Sequence, residues 1–290
     1  MNNSFSYKEA FSRNIGWYTE QEQEALRTKR VAIAGLGGVG GSHLITLARS
    51  GIGRFTISDL DVFELANFNR QYGATLSALN KDKTQVMRQA CLDINPEAQI
   101  NVFDQGVTAT NLDEFLRDVE LYVDSLDFFA LEIRRKVFAR CYELGIPAIT
   151  AAPMGMGTAV LIFLPGRMSF EDYFCFNDTD NFEDLMVKFM IGVSPAMQQR
   201  HYVVEESAVD FERKKGPSTA MAIDLAAGIA CTNAVKLLLG RGPIIHAPHG
   251  LHFDAYRNKL VKTWRPMGNR NPIQRLMFVS VKKMLERYRR

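Results

Sequence analysis

The sequence predicts an α/β fold: a doubly wound, mostly parallel sheet with helices on both faces, plus a C-terminal hairpin and a helical extension. Two observations carry that expectation. Short apolar runs such as RVAIA at 30–34 and RFTIS at 54–58 alternate with longer helical patterns through the first 150 residues. Strand–helix–strand repeats require right-handed crossovers and a parallel sheet covered on both sides. The apolar share of 47% is enough to fill such a core, and 23% charged residues is ordinary for a globular chain.

Thr19 followed three residues later by Glu22 is a capping-box pattern, so a helix is expected to run to about Lys29. Arg30–Ala34 reads as a buried strand that ends at the glycines of GLGGVGG. A helix follows over Gly40–Ser50, with Gly51 placed to cap its end, and then a second strand, Arg54–Ser58, closes on Asp59 and Asp61. The alternation continues with a helix over Lys81–Leu92, a strand over Gln99–Phe103 and a helix from Asn111 to Arg117. Leu121–Asp124 is then a strand, Phe129–Leu144 a helix and Ala148–Ala152 a strand.

After Gly157 the pattern changes. Thr158–Leu164 reads as a strand, and the stretch 165–215 is irregular, aromatic and acidic. Pro217, Ser218 and Thr219 open a long apolar helix that Gly240 stops. His252–Tyr256 and Leu260–Trp264 form a hairpin across Arg257 and Asn258, and 272–290 forms a basic amphipathic helix. The expected organisation is an α/β core at 1–164, an irregular segment at 165–215, a continuation of the core at 216–270 and a basic terminal helix at 271–290.

Several function classes are excluded. A net charge of +3 is too small to imply DNA as a partner. Cys91, Cys141, Cys175 and Cys231 are far apart with no Cys-x-x-Cys pair, which predicts neither structural zinc nor a disulfide framework and fits the reducing cytoplasm. The N-terminal residues up to Arg13 lack the apolar core of a signal peptide. The most apolar stretch, 220–239, is interrupted by Asp224, Asn233 and Lys236, so it reads as a buried helix and no transmembrane segment is expected.

The chemistry concentrates early. Gly35, Gly37 and Gly40 form a G-x-G-x-x-G turn between strand and helix, doubled by Gly38. Such a turn lets backbone approach a phosphate at a helix N-terminus. Asp59, about twenty residues on, can accept from ribose hydroxyls. These features alone leave NAD and ATP open. Asn67, Arg70 and Gln71 follow in the next loop, Lys83 at the next helix start, and Asp127 just beyond a strand end, where Mg²⁺ would be held. A triphosphate with a departing pyrophosphate needs this extra cationic charge, so the set favours ATP·Mg.

The runs RVAIAGLGGVGG and SDLDVFELANFNRQ, with Lys83 and Asp127 after them, resemble the adenylation domain of ThiF/MoeB/HesA-type adenylyltransferases of the ubiquitin-activating enzyme superfamily. The resemblance covers roughly 10–160 and, more faintly, 216–265. It implies a Rossmann-like core that adenylates a carboxylate with ATP and Mg²⁺. The substrate would be the C-terminal glycine of a ubiquitin-like or sulfur-carrier protein, or a smaller or RNA-borne acid. Asp59 would bind the ribose and Arg70 and Lys83 the phosphates. Asn67 and Gln71 would shape their loop, and Asp127 would hold the metal. Ser12-Arg13-Asn14 is similar to the family's N-terminal arginine segment, so Arg13 would reach the neighbouring subunit's phosphates and the active unit would be a homodimer.

The sequence also departs from the pattern. Phe128 stands where asparagine is common, Arg134 falls about two residues late, and the Cys-x-x-Cys pair is missing, which places the chain in a zinc-free branch. Cys175, among Tyr173, Phe174 and Phe176, reads as a buried thiol, so adenylation without a thioester step is expected. His201, Glu205 and Glu206 lack metal-pair spacing, and His246, His249 and His252 read as loop residues. Two other classes stay open: an NAD- or FAD-dependent oxidoreductase on the same glycine turn, and a non-catalytic interaction subunit.

Overall fold

The computed structural model describes residues 5–177, 179–205 and 216–288. In chain order these residues form α1 (Tyr7–Ala10), α2 (Glu20–Thr28), β1 (Arg30–Ala34), α3 (Gly38–Arg49), β2 (Arg54–Ser58), α4 (Lys83–Leu92) and β3 (Gln99–Phe103). Then come α5 (Leu112–Phe115), β4 (Leu121–Asp124), α6 (Leu131–Glu143), β5 (Ala148–Met154), β6 (Gly157–Phe163), α7 (Phe170–Phe174) and α8 (Phe182–Val193). The chain ends with α9 (Ala220–Leu238), β7 (His249–Asp254), β8 (Lys259–Trp264) and α10 (Pro272–Tyr288). They fall into two compact units, the residues up to Leu126 with Ala227–Ile244, and Asp127–Ala226 with the residues from Ile245 on.

The first unit carries the expected parallel sheet. β1 lies between β2 and β4, and β3 pairs on the far side of β2, all in parallel register; Ile33 sits opposite both Ile57 and Val123. Val31 to Ala34, Phe55, Ile57 and Leu121 to Val123 have no exposed surface, as strands covered on both faces require. The predicted capping box forms: Thr19 Oγ1 accepts from the Glu22 N–H, and the Glu22 carboxylate accepts from the Thr19 N–H. Gly51 takes φ +89° directly after α3. The hydroxyl of the buried Tyr7 donates to its carbonyl at 2.6 Å, which ties α1, unforeseen in the sequence, to the end of α3.

Between β2 and α4 the chain makes a loop closed at its neck. The Phe63 N–H donates to the Lys81 carbonyl, the Asn80 N–H to the Phe63 carbonyl, and the Lys83 N–H to the Asp61 carbonyl. Phe63 is fully buried beneath the loop, and Gly73 leaves no room for a Cβ against it.

The second unit adds an antiparallel sheet in the order β5-β6-β7-β8. The stretch read as irregular contains α7 and α8 among its described residues. Asn181 and Asp184 form a capping box at the start of α8. Phe163, Phe170, Tyr173, Phe174 and Phe189 pack ring against ring in the core. The predicted C-terminal helix packs on its own unit: Met277, Phe278, Val281 and Leu285 of α10 meet Val187 and Ile191 of α8. Lys282 pairs with Glu183 and Asp184, so part of the helix's basic character is consumed internally. Arg289 and Arg290 lie outside the described residues, as does Glu206.

His249 and His252 belong to β7 and are not loop residues. His252 is completely buried, with Nδ1 3.2 Å from Ser194 Oγ. Burial pushes its imidazole down to about 4, partly opposed by Asp254. Among the described residues one helix, α9, is long and apolar enough to cross a membrane, and half of its most apolar window is buried in protein.

Candidate active site

The glycine turn sits between β1 and α3 and is held by contacts only glycine permits. The Gly35 N–H donates to the Ser58 carbonyl at 2.7 Å, and its φ of +88° would aim a Cβ to within 2.2 Å of the Ser125 carbonyl oxygen. A Cβ on Gly40 would lie 1.8 Å from the Gly35 carbonyl oxygen. Gly37 caps α3 with no side chain, and Gly38 opens the helix, so its first amides are free to meet an anion.

Asp59 closes β2 beside this turn. Its Oδ2 accepts from the Leu36 N–H at 2.6 Å and its Oδ1 from the Asp61 N–H at 2.9 Å. The carboxylate therefore fixes the glycine turn as well as offering its remaining lone pairs to a ligand.

The loop above carries the remaining residues. Asn67 accepts from the Glu64 N–H and so closes a short 3₁₀ turn. Arg70 is folded onto its own loop, donating to the Ala66 carbonyl and to Asn69 Oδ1. Gln71 is buried, with its amide nitrogen 3.4 Å from where a Gly37 Cβ would stand, and its Oε1 has no hydrogen-bond partner among the described residues. An unsatisfied buried acceptor over a glycine turn is a feature that a ligand or water completes. Lys83, the first residue of α4, keeps 7% of its side chain exposed and pairs with Asp61 at 3.1 Å.

Thus Gly35, Gly37, Gly38, Gly40, Asp59, Asn67, Arg70, Gln71 and Lys83 all belong to the first unit. Arg13 belongs to it too, exposed and with no hydrogen bond or ion pair among the described residues. Asp127 is the first residue of the second unit, three positions beyond the end of β4. Its side chain is exposed; one carboxylate oxygen accepts from the Phe129 N–H at 2.9 Å, and the other has no hydrogen bond among the described residues. Beyond it Phe128 packs on Phe189, whose ring also carries the Arg134 guanidinium at 4.7 Å. Among the described residues no three His, Cys, Asp or Glu side chains group as a metal site. All four cysteines are buried; the Cys175 thiol donates to the Asp172 carbonyl, and burial pushes the Cys91 thiol up to about 12.

Asp61 was not singled out from the sequence as a site residue. The D-x-D spacing at the end of β2 was its one local signal.

The parallel sheet, the glycine turn at its edge and the acidic residue closing the second strand define an α/β protein of nucleotide-binding type. The chain belongs to the ThiF family, which it matches over residues 11–275. It is 31% identical over 143 residues to the sulfur carrier protein ThiS adenylyltransferase of Escherichia coli, covering 49% of this chain and 56% of that one. It is 32% identical over 151 residues to the tRNA threonylcarbamoyladenosine dehydratase of Haemophilus influenzae, covering 52% and 57%. The chain thus spans about half the length of the curated relatives it matches. Among solved structures, E. coli MccB with ATP superposes with a TM-score of 0.66 at 20% identity, over 92% of this chain and 73% of that one. PaaA superposes with a TM-score of 0.65 at 20% identity, over 91% and 77%. At this identity the likeness is one of fold.

Proposed function

We propose that this protein adenylates a carboxylate with ATP. The observation that carries the reading is the pairing, within one unit, of a glycine turn anchored by Asp59 with a buried ammonium, Lys83, at the head of the next helix. A dinucleotide fold does not require that second feature, whereas a departing pyrophosphate does. The names of the relatives agree with it, since a ThiS adenylyltransferase and several molybdopterin-synthase adenylyltransferases are among them.

In this reading a carboxylate oxygen of the substrate attacks the α-phosphorus of ATP. The new O–P bond forms as the bond to pyrophosphate breaks, and an acyl adenylate results. A carboxylate is already ionised at neutral pH, so no general base is needed, and catalysis rests on positioning and on cationic charge. Asp59 receives the ribose, the first amides of α3 meet the phosphates, and Asn67 and Gln71 shape the loop that presents Arg70. Lys83 neutralises charge on the departing pyrophosphate. Mg²⁺ usually takes one or two carboxylates and completes its shell with phosphates and water. The second oxygen of Asp127 fits that modest demand, and the ion would neutralise phosphate charge there.

The substrate carboxylate would belong to a ubiquitin-like or sulfur-carrier protein, a peptide, or a smaller or RNA-borne acid, selected in part by the aromatic stretch 165–215. The active unit would be a homodimer. Arg13 has no partner among the described residues, Ile15 and Trp17 near it are exposed, and Leu60, Leu65, Tyr72 and Leu76 expose apolar surface in the same unit. Such surface is what a subunit contact covers. The four free cysteines fit a cytoplasmic setting.

Thermal shift tests the nucleotide: ATP·Mg and AMP should raise the melting temperature and NAD(H) should not. Stabilisation by NAD(H) alone would replace this reading with the oxidoreductase one.

A further inference from the structure

We propose that Asp61 is the positioning residue for Lys83, holding its ammonium aimed for a nucleotide phosphate. The inference rests on the nucleotide-binding reading above and adds a residue that reading does not use.

Lys83 keeps 7% of its side chain in water, and an ammonium so enclosed needs a compensating charge. Among the described residues its one ion-pair partner is Asp61, at 3.1 Å. Asp61 does more than neutralise it. Its N–H donates to Asp59 Oδ1, while Asp59 Oδ2 accepts from the Leu36 N–H of the glycine turn. A single hydrogen-bonded path therefore runs from the glycine turn through Asp59 and Asp61 to the Lys83 ammonium. It fixes the lysine relative to the turn where phosphates would lie.

The side-chain role separates from the structural one. The neck of the loop is closed by backbone bonds, including the Lys83 N–H to the Asp61 carbonyl, and the link to Asp59 uses the Asp61 N–H. Asp61→Asn keeps all of these and removes only the carboxylate charge. That carboxylate retains 59% of its side-chain surface in water, so its repulsion of an incoming phosphate is strongly screened. The enclosed ammonium lacks that screening. Losing its counter-charge therefore outweighs the relief of repulsion, and the variant should bind triphosphate less well.

Dissociation constants for ATP and AMP should be measured on the full chain for wild type, Asp61→Asn, Asp61→Glu, Lys83→Met and the Asp61→Asn/Lys83→Met double variant. Asp61→Asn should weaken ATP about tenfold and AMP less than about twofold, because only the longer phosphate chain reaches Lys83. Asp61→Glu should recover most of the loss. In the Lys83→Met background Asp61→Asn should change nothing further, the signature of action through the lysine. Equal losses for ATP and AMP, an effect that adds to Lys83→Met, or wild-type ATP affinity in Asp61→Asn would overturn the proposal.

A ligand-free readout keeps it separate from the nucleotide reading. Acetic anhydride should label Lys83, followed by peptide mass, several-fold faster in Asp61→Asn than in wild type; equal rates overturn the proposal. A wild-type protein that bound neither nucleotide would refute nucleotide binding, while the labelling rates would still decide the role of Asp61.

Discussion

Adding one methyl group at Gly40 should damage the protein, whereas the same change at Gly41 should not. Both residues lie in the first turns of α3, where alanine is favoured over glycine by roughly 1 kcal/mol. At Gly40 the new Cβ would stand 1.8 Å from the Gly35 carbonyl oxygen, 2.8 Å from its carbon and 2.9 Å from Ser125 Cβ. Two of these three neighbours are backbone of the glycine turn, so relief requires moving the turn itself. Overpacking of this kind costs about 3 kcal/mol or more, which leaves a net loss of about 2 kcal/mol after the helix gain. At Gly41 the nearest atoms are the Leu36 carbonyl oxygen at 3.3 Å and the flexible Met87 methyl at 3.4 Å, so the net change should stay within about 1 kcal/mol. Thermal melting with and without ATP·Mg measures both effects. Gly40→Ala should melt several degrees lower and lose its nucleotide-induced shift, while Gly41→Ala should keep both properties. A Gly40→Ala protein with wild-type stability and an intact ATP shift would refute the close-approach reasoning.

Three further outcomes follow from the geometry. His252 is buried and held near 4, so the unfolded chain takes up its proton first as the pH falls. Stability present above about pH 6.5 should drop by up to about 3 kcal/mol by pH 4, and urea unfolding at successive pH values should show a slope that His252→Asn flattens. The Tyr202 hydroxyl accepts from the Met156 N–H and donates to the buried Asp254, so Tyr202→Phe should lower the urea midpoint by the equivalent of about 2 kcal/mol; an unchanged midpoint would count against this tether. If Arg13 acts on the neighbouring subunit, mixing inactive Arg13→Ala and Lys83→Ala proteins should restore about a quarter of wild-type activity through statistical heterodimers, and no recovery after subunit exchange would exclude action in trans.

Most of the first unit was legible because its signals are local. The capping box at Thr19 and Glu22, the strand RVAIA and the glycine turn are set by residues within a few positions of one another, and each forms where expected. The second unit was harder for physical reasons. α8, FEDLMVKFMIGV, sets Val187 and Ile191 among Glu183, Asp184 and Lys188, a pattern that makes sense only once α10 packs on those two apolar residues. In β7 Pro248 and Gly250 give a turn-like pattern around its start, and its alternating burial, with His252 inward, appears only once β6 and β8 pair with it. The Lys83–Asp61 pair joins residues 22 positions apart across a closed loop neck, which no local pattern encodes.

The reading as a whole depends on isotope exchange between pyrophosphate and ATP, run with candidate carboxylate partners on wild type and on the Arg70→Ala, Lys83→Ala and Asp127→Ala variants. Exchange that requires a partner and is lost in each variant is the predicted result. Near-normal exchange in all three variants would contradict the proposed site.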